Sequence, residues 1–445
     1  MEHSNPLSYE SIPKLLWKMS VPAVLGMLIN ALYNIMDTIF IAHGVGILGV
    51  AGLSIAFPVQ MIILALAGAI GLGGASVVSR RLGEGRRETA NTVFGNLLLM
   101  VFGVGILGVV CALFFLKPLL RLFGATDMIM PYASDYLFPI LMGTLFSVFV
   151  FTSNNLIRSE GNAKVVFILM ATGSLLNIVL DPIFIFGFHM GTQGAAIATV
   201  LAHIVTSILA VFYFLSEKSN FSLGINSLQP KLHLMKEVLV IGLPAGIQLV
   251  AGSLMIVAVN YMLNVYSGAI AVGVFGIIYR IITFTSMPIN GVVQGMQPIV
   301  GYNFGSNHFQ RVNDTITLGL KVASVTSIII FIVMMIFPEW IMRVFSSDKA
   351  TVAQGIEAIR IVFAASFLIG LPIVIGGLYQ ALGFARKTLI LSMARQVLFL
   401  LPLVLILPSL LGVNGVWLAF PTADLLAFFL SILYLYKDRN LLSNT

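Results

Sequence analysis

Long apolar runs separated by short polar breaks set the pattern of this chain. Twelve runs fall near 15–42, 47–78, 90–116, 129–156, 165–187, 192–215, 237–265, 269–299, 314–337, 351–381, 388–409 and 414–436. Each exceeds or approaches the roughly 20 residues that a helix needs to cross a bilayer. The period-2 alternation of a membrane barrel is absent. The pattern predicts an all-α polytopic membrane protein with twelve transmembrane helices. The longest polar break, Ser216 to Lys236, lies at the midpoint and reads as a linker. It divides the chain into an N-terminal six-helix bundle (1–218), a cytoplasmic linker (219–236) and a C-terminal six-helix bundle (237–445).

The two halves repeat at an offset of 222 residues. Pro22-Ala23 matches Pro244-Ala245, Gly73 matches Gly295, and Gly83 matches Gly305. Asn91 matches Asn313, Arg121 matches Arg343, and Gly161-x-Ala163-Lys164 matches Gly383-x-Ala385-Arg386. Gly, Pro and Arg in register across five spans without a gap point to a duplicated bundle. An even number of spans per half gives both halves one orientation, related by a pseudo-twofold axis along the membrane normal.

Composition agrees with the pattern. Of 445 residues 59% are hydrophobic and 9% charged, with mean hydropathy +1.02; a soluble domain carries about 25% charge. The net charge of +7 would suit a nucleic-acid partner if the charges clustered on one domain. They alternate by loop instead. Arg80, Arg81, Arg86, Arg87, Arg158, Lys164, Lys218, Lys231, Lys236, Arg311, Arg386 and Lys387 fall on one side. The other side holds Lys117, Arg121, Arg343 and Lys349. The positive-inside rule makes both termini cytoplasmic and turns the basic excess into a topology signal, with no nucleic-acid partner. Cys111 is the one cysteine, so no intrachain disulfide forms. The opening MEHSNPLSYESIP is polar and does not read as a cleavable signal.

The repeat also separates scaffold from candidate chemistry. Asp37 corresponds to Val259, Asn34 to Ile256, Asn177 to Phe399, Asp181 to Leu403 and Thr199 to Pro421. Five polar residues of the first half thus have apolar counterparts, and the fold does not require them. An ionised Asp at a helix centre costs roughly 2.5–3.5 kcal/mol on insertion scales. Asp37 and Asp181 each lie about six residues, roughly 9 Å, from the outer end of their spans, and Thr199 lies about seven residues down span 6. Asn177 and Asp181 are i, i+4 neighbours. Alone, Asn177 and Thr199 read as interhelical hydrogen-bond glue; at one level with two carboxylates they read as ligands of H⁺ or Na⁺. Asn30 and Asn34 share the Asp37 stripe, and Tyr136 and Asn154 of span 4 supply further polar groups. Pro22 and Pro182 predict bends, since proline removes an N–H and clashes with the preceding turn. In the second half Gln248, Arg280 and Gln294 are candidate substrate contacts, and Asp424 a candidate partner for Arg280.

Several segments resemble the multidrug and toxic compound extrusion (MATE) transporters over essentially the whole chain. They are SVPAVLGMLINALYNIMDTIFIAHGVG, RRLGEGRRE, RSEGNAK, LLNIVLDPIFIFGF and GTQGAAIAT in the first half, and GLPAGIQ and GMQPIVGYNFG in the second. The Asp of span 1 with N-x-x-x-D-P in span 5 is similar to the DinF-like branch. The resemblance implies two six-helix bundles forming a V. It also implies a cation-responsive site at Asp37, Asn177, Asp181 and Thr199, with Na⁺ or H⁺ as the coupling ion and no cofactor. The carboxylates that NorM-like members carry in spans 7 and 10 are missing, which points to coupling in the first half. The expected function is a secondary active antiporter, not an enzyme, acting as a monomer in the cytoplasmic (inner) membrane. It would export small organic cations and amphiphiles in contact with membrane lipid. A lipid-linked precursor flippase of related fold is the alternative; the acidic site and the twelve spans count against it. No P-loop, HExxH or Gly-x-Ser-x-Gly nucleophile motif supports ATP drive or hydrolysis.

Overall fold

A computed structural model of the chain describes residues 5–221 and 225–438, and no strand occurs among them. The long helices in chain order are α1 (Ile12–Gly44), α2 (Ile47–Gly83), α3 (Arg87–Leu122), α4 (Met130–Met142 with Thr144–Ser159), α5 (Ala163–Gly187) and α6 (Gly191–Leu215). They continue as α7 (Leu232–Ser267), α8 (Ala269–Gly305), α9 (Phe309–Ile336), α10 (Lys349–Val362 with Ser366–Ala381), α11 (Ala385–Leu411) and α12 (Val413–Lys437). Ten are single helices long and apolar enough to cross a membrane, and the bent pairs α4 and α10 bring the number to twelve. The chain is a multi-pass membrane protein, as its hydropathy pattern predicts.

The sharpest bends do not fall at the prolines singled out in the sequence. α4 turns by 57° and α10 by 41° at their breaks. α1 runs through Pro22 as unbroken helix. At Pro182 the chain stays helical but widens into a π turn over Ile183–Gly187, closed by Phe188 N donating to Ile183 O at 2.9 Å. A wider turn makes room for the proline ring and the missing donor without a sharp kink.

The duplication recurs in backbone geometry. Gly46 and Gly268, 222 residues apart, end α1 and α7 at φ +85° and +75°. Gly161 and Gly383 do the same before α5 and α11 at +92° and +78°. Side chains with a Cβ rarely adopt this region, which accounts for glycine at both pairs.

Two compact units divide the chain, and their limits do not coincide with the midpoint linker. One contains Val21–Gly246 with the N-terminal segment up to Tyr9; the other contains Glu10–Ser20 and the chain from Ile247 onward. The opening turns of α7 therefore pack in the first unit and those of α1 in the second. In the first unit, a Cβ on Gly242 would stand 1.8 Å from Ala69 O, and one on Gly73 2.1 Å from Val238 O. Glycine permits this contact of backbone on backbone. Arg80 and Arg81 hold the same segment by pairing with Glu237 at 3.5 and 3.2 Å. In the second unit, a Cβ on Gly295 would meet Ser20 Oγ at 2.3 Å, and Arg311 donates to Glu10 O at 2.8 Å.

Candidate functional site

Three helices of the first unit carry the central group. α1 supplies Asp37, α5 supplies Asn177 and Asp181 one turn apart, and α6 supplies Thr199. All four are buried; Asp181 is 0% and Asn177 2% exposed. Helices α5 and α6 are antiparallel neighbours, which sets Thr199 beside Asn177. With its amide nitrogen toward Asp181, Asn177 donates to Asp181 Oδ2 at 3.0 Å and accepts from Thr199 N and Oγ1, each at 3.1 Å. The carboxyl of Asp37 lies within hydrogen-bonding reach of that of Asp181. Asp37 Oδ1 is buried and has no hydrogen-bond partner among the described residues. A carboxylate is an acceptor only, so contact between two of them needs a proton or a cation between them.

Two side chains absent from the sequence-based set, Tyr33 and Gln60, extend this group together with Tyr136, which belongs to that set. The Tyr33 hydroxyl lies against Thr199 and close to both Asp37 and Asp181. Tyr33 is one turn before Asp37, the i, i+4 spacing that places both on one face; that spacing is the signal in the sequence. Tyr136 of α4, only 6% exposed, accepts a hydrogen bond from Gln60 Nε2 of α2 at 3.2 Å and stands near Asp37 and Tyr33. Nothing in the sequence distinguishes Gln60.

Other candidates lie apart. Asn30 and Asn34 are exposed on α1 and satisfy each other, Asn34 Nδ2 donating to Asn30 O at 2.7 Å and Oδ1 at 3.3 Å. Asn154 is half-buried on α4 with an unpartnered Oδ1. Among the described residues no three His, Cys, Asp or Glu side chains converge as a metal site. The group that converges with Asp37 is two carboxylates, an amide and the Thr199 hydroxyl.

The second unit places its polar groups differently from the sequence reading. Gln248 and Arg280 are exposed, and Gln294 is half-buried. Asp424 of α12 pairs with Arg395 of α11 rather than with Arg280. Arg280 and Asp424 both lie about one turn inward of the contact between Phe275 and Phe420, whose centroids are 6.0 Å apart. Arg280 is nevertheless exposed and forms no ion pair among the described residues. Gln297 donates to Gln380 at 2.8 Å, linking α8 to α10.

On the side of the basic loops, Glu160 closes the end of α4. It accepts from Tyr213 Oη at 3.0 Å, from Ser219 Oγ at 3.1 Å and from Asn220 N. Burial pushes its carboxyl up to about 7, against the pull of these donors.

Comparison with known proteins gives this arrangement its family. The model of the family described as MatE matches twice, over residues 22–183 and 244–406. The two matches begin at the equivalent prolines of the repeat. The multidrug export protein MepA of Staphylococcus haemolyticus is 27% identical over 433 residues, covering 97% of this chain and 95% of its own. The MepA of a Staphylococcus aureus strain is 26% identical over 428 residues, covering 96% and 94%. A structure described as that of the MATE multidrug transporter DinF-BH, solved as a complex, is 50% identical, with a TM-score of 0.91 over 100% of this chain and 99% of that one. An outward-facing MATE family multidrug resistance transporter is 26% identical, with a TM-score of 0.92 over 100% of both chains. Fold, repeat and matches agree, and the chain belongs to the MatE family.

Proposed function

We propose that this chain is a secondary active antiporter of the inner membrane, with both termini cytoplasmic. It works as a monomer to export amphipathic, often cationic organic compounds in exchange for inward H⁺ or Na⁺. Relatives named as multidrug export proteins support the direction and the cargo. The observation that carries the coupling is the contact of Asp37 with Asp181, bridged to α6 through Asn177 and Thr199. A cation arriving from outside binds between the carboxyls and removes their repulsion. It also draws α1, α5 and α6 together at one level. A cation shifts a conformational equilibrium only by its difference in affinity for the two states. The buried, unpartnered Asp37 Oδ1 gains a partner when the cation is present, and the difference between states lies in whether α1 and α5 hold the two carboxyls together. The π turn after Pro182 and the proline at position 22 give α5 and α1 the compliance for this movement.

Supporting residues take graded roles. Tyr33 and Tyr136 line the group from α1 and α4, while Asn30, Asn34 and Asn154 present polar atoms to substrate. Gln248, Arg280 and Gln294 are the corresponding contacts in the second half. Reconstituted vesicles test the reading. A pH gradient and a Na⁺ gradient are imposed separately and ethidium efflux is followed. Efflux should require one of the two, and equal efflux with neither would overturn antiport.

A further inference from the structure

Arg395 and Asp424 form an ion pair near the middle of α11 and α12 that the coupling site does not use. Arg395 lies about ten residues into α11, and Asp424 about eleven into α12. The Arg395 Nε donates to Asp424 Oδ1; the side chains are 28% and 3% exposed. A guanidinium at this depth is costly against hydrocarbon, and intramembrane arginines almost always face the bundle interior or a water-filled space. Its two terminal nitrogens have no hydrogen-bond partner among the described residues. The neighbouring Gln396 has a buried Oε1 that is also unpartnered. That oxygen lies 3.6 Å from where a Cβ on Gly252 of α7 would be, so no side chain from that position fills the space in front of it. The stretch Ala394–Leu400 is a π-helix, a distortion frequent at functional sites because it re-aims side chains.

We propose that Arg395 and Gln396 form a substrate subsite that selects amphiphiles bearing a carboxylate together with an N–H donor. The free edge of the guanidinium fork matches a carboxylate in two parallel hydrogen bonds. Gln396 Oε1 accepts from the donor. Asp424, buried behind the fork, fixes its plane and balances its charge, which makes it a positioning residue. The proposal rests on the transport reading for its biological meaning, but its test is a binding measurement and stands or falls without transport.

Fluorescence polarisation of the full chain in detergent would compare rhodamine 6G with rhodamine 19. The two dyes share their N–H groups and differ in an ethyl ester against a free carboxylate. Binding of the acid is expected in the native protein. In Arg395→Gln/Asp424→Asn, which removes both charges and leaves none buried alone, the ratio of ester Kd to acid Kd should fall at least tenfold. Gln396→Leu keeps the ion pair and should weaken both dyes about threefold to tenfold. A native protein that fails to bind the acid, or a ratio unchanged in the double variant, would overturn the proposal and leave the pair a structural one. Ethidium efflux in vesicles reports separately on the transport reading.

Discussion

Asp37→Asn isolates the coupling step, because it replaces one carboxylate by an amide of the same shape in a buried site. Asp37 is 7% exposed and Asp181 0%, and their carboxyls are in contact. Two unit charges about 4 Å apart repel by about 4 kcal/mol at an effective dielectric near 20. A cation bound between them removes that repulsion. At about 1.4 kcal/mol per tenfold, the gain amounts to nearly a thousandfold in cation affinity. A site with a single carboxylate has no such repulsion to relieve. In proteoliposomes carrying equal amounts of protein, gradient-driven ethidium efflux by Asp37→Asn should fall to background. In detergent, its ethidium affinity should no longer respond to the coupling cation, whereas that of the native protein should. Folding is not at stake, since Val259 fills the equivalent position of the second half at 0% exposure. A folded Asp37→Asn protein that keeps more than about a tenth of native gradient-driven efflux would refute the carboxyl-pair mechanism.

Tyr33→Phe removes a hydroxyl that lies against Thr199 and should raise the half-saturating cation concentration about threefold to tenfold, the equivalent of about 0.5–1.5 kcal/mol for one hydrogen bond; cation titration of efflux checks it. A carboxyl pair that takes one cation per cycle exchanges it for a monovalent substrate without net charge movement, so a valinomycin-imposed potential alone should drive no ethidium efflux. Gly242→Ala puts a methyl 1.8 Å from Ala69 O and should cost about 1–3 kcal/mol or more, whereas Gly103→Ala, with nothing within 4 Å, should gain up to about 1 kcal/mol; Tm in detergent separates them. Glu160 carries a folded value near 7 against an ordinary value of 4.5, so the folded state binds the extra proton. Its contribution is complete below pH 4.5 and is lost as pH rises through 7, about 3 kcal/mol over the window. Glu160→Gln should flatten the fall in Tm between pH 5 and 8.

Lipid made most of the fold legible. Spanning helices must be apolar for about 20 residues, so their number and order could be read from hydropathy, and the repeat fell out of matched Gly and Pro. The bends could not be read so directly. Gly143 breaks α4 where a Cβ would meet Val200 at 2.6 Å, a packing demand between α4 and α6 that adds to the local signal of Pro139 one turn earlier. Asp37, Asp181, Asn177 and Thr199 stood out because polar groups are costly at that depth and because their counterparts are apolar. Asn30 and Asn34 shared the stripe but sit exposed and bond to each other, since one or two turns of helix set them at another depth than Asp37. Tyr33 and Gln60 were hidden by chemistry common throughout membrane helices. Arg395 was hidden although Asp424 lies only 29 residues on, because Arg280 stood at mid-span and offered a matching depth.

The repeat explains why each half carries its own polar set. Asp37 and Asp181 stand where the second half has Val259 and Leu403. Arg395 and Asp424 stand where the first half has Gly173 and Ala202. The sets occupy different positions of one scaffold, so neither is needed to build it. The surroundings also differ. Asn177, held by Thr199, donates to Asp181 of the first pair, while the counterparts Phe399 and Pro421 offer no side-chain donor. A carboxylate at half-buried position 403 would therefore lie within the bundle without a side-chain donor beside it. In turn, Arg395 would find no carboxylate opposite position 173. Each half is chemically committed by its neighbours, so the proposed cation site and the proposed substrate subsite can occupy different halves of one duplicated scaffold.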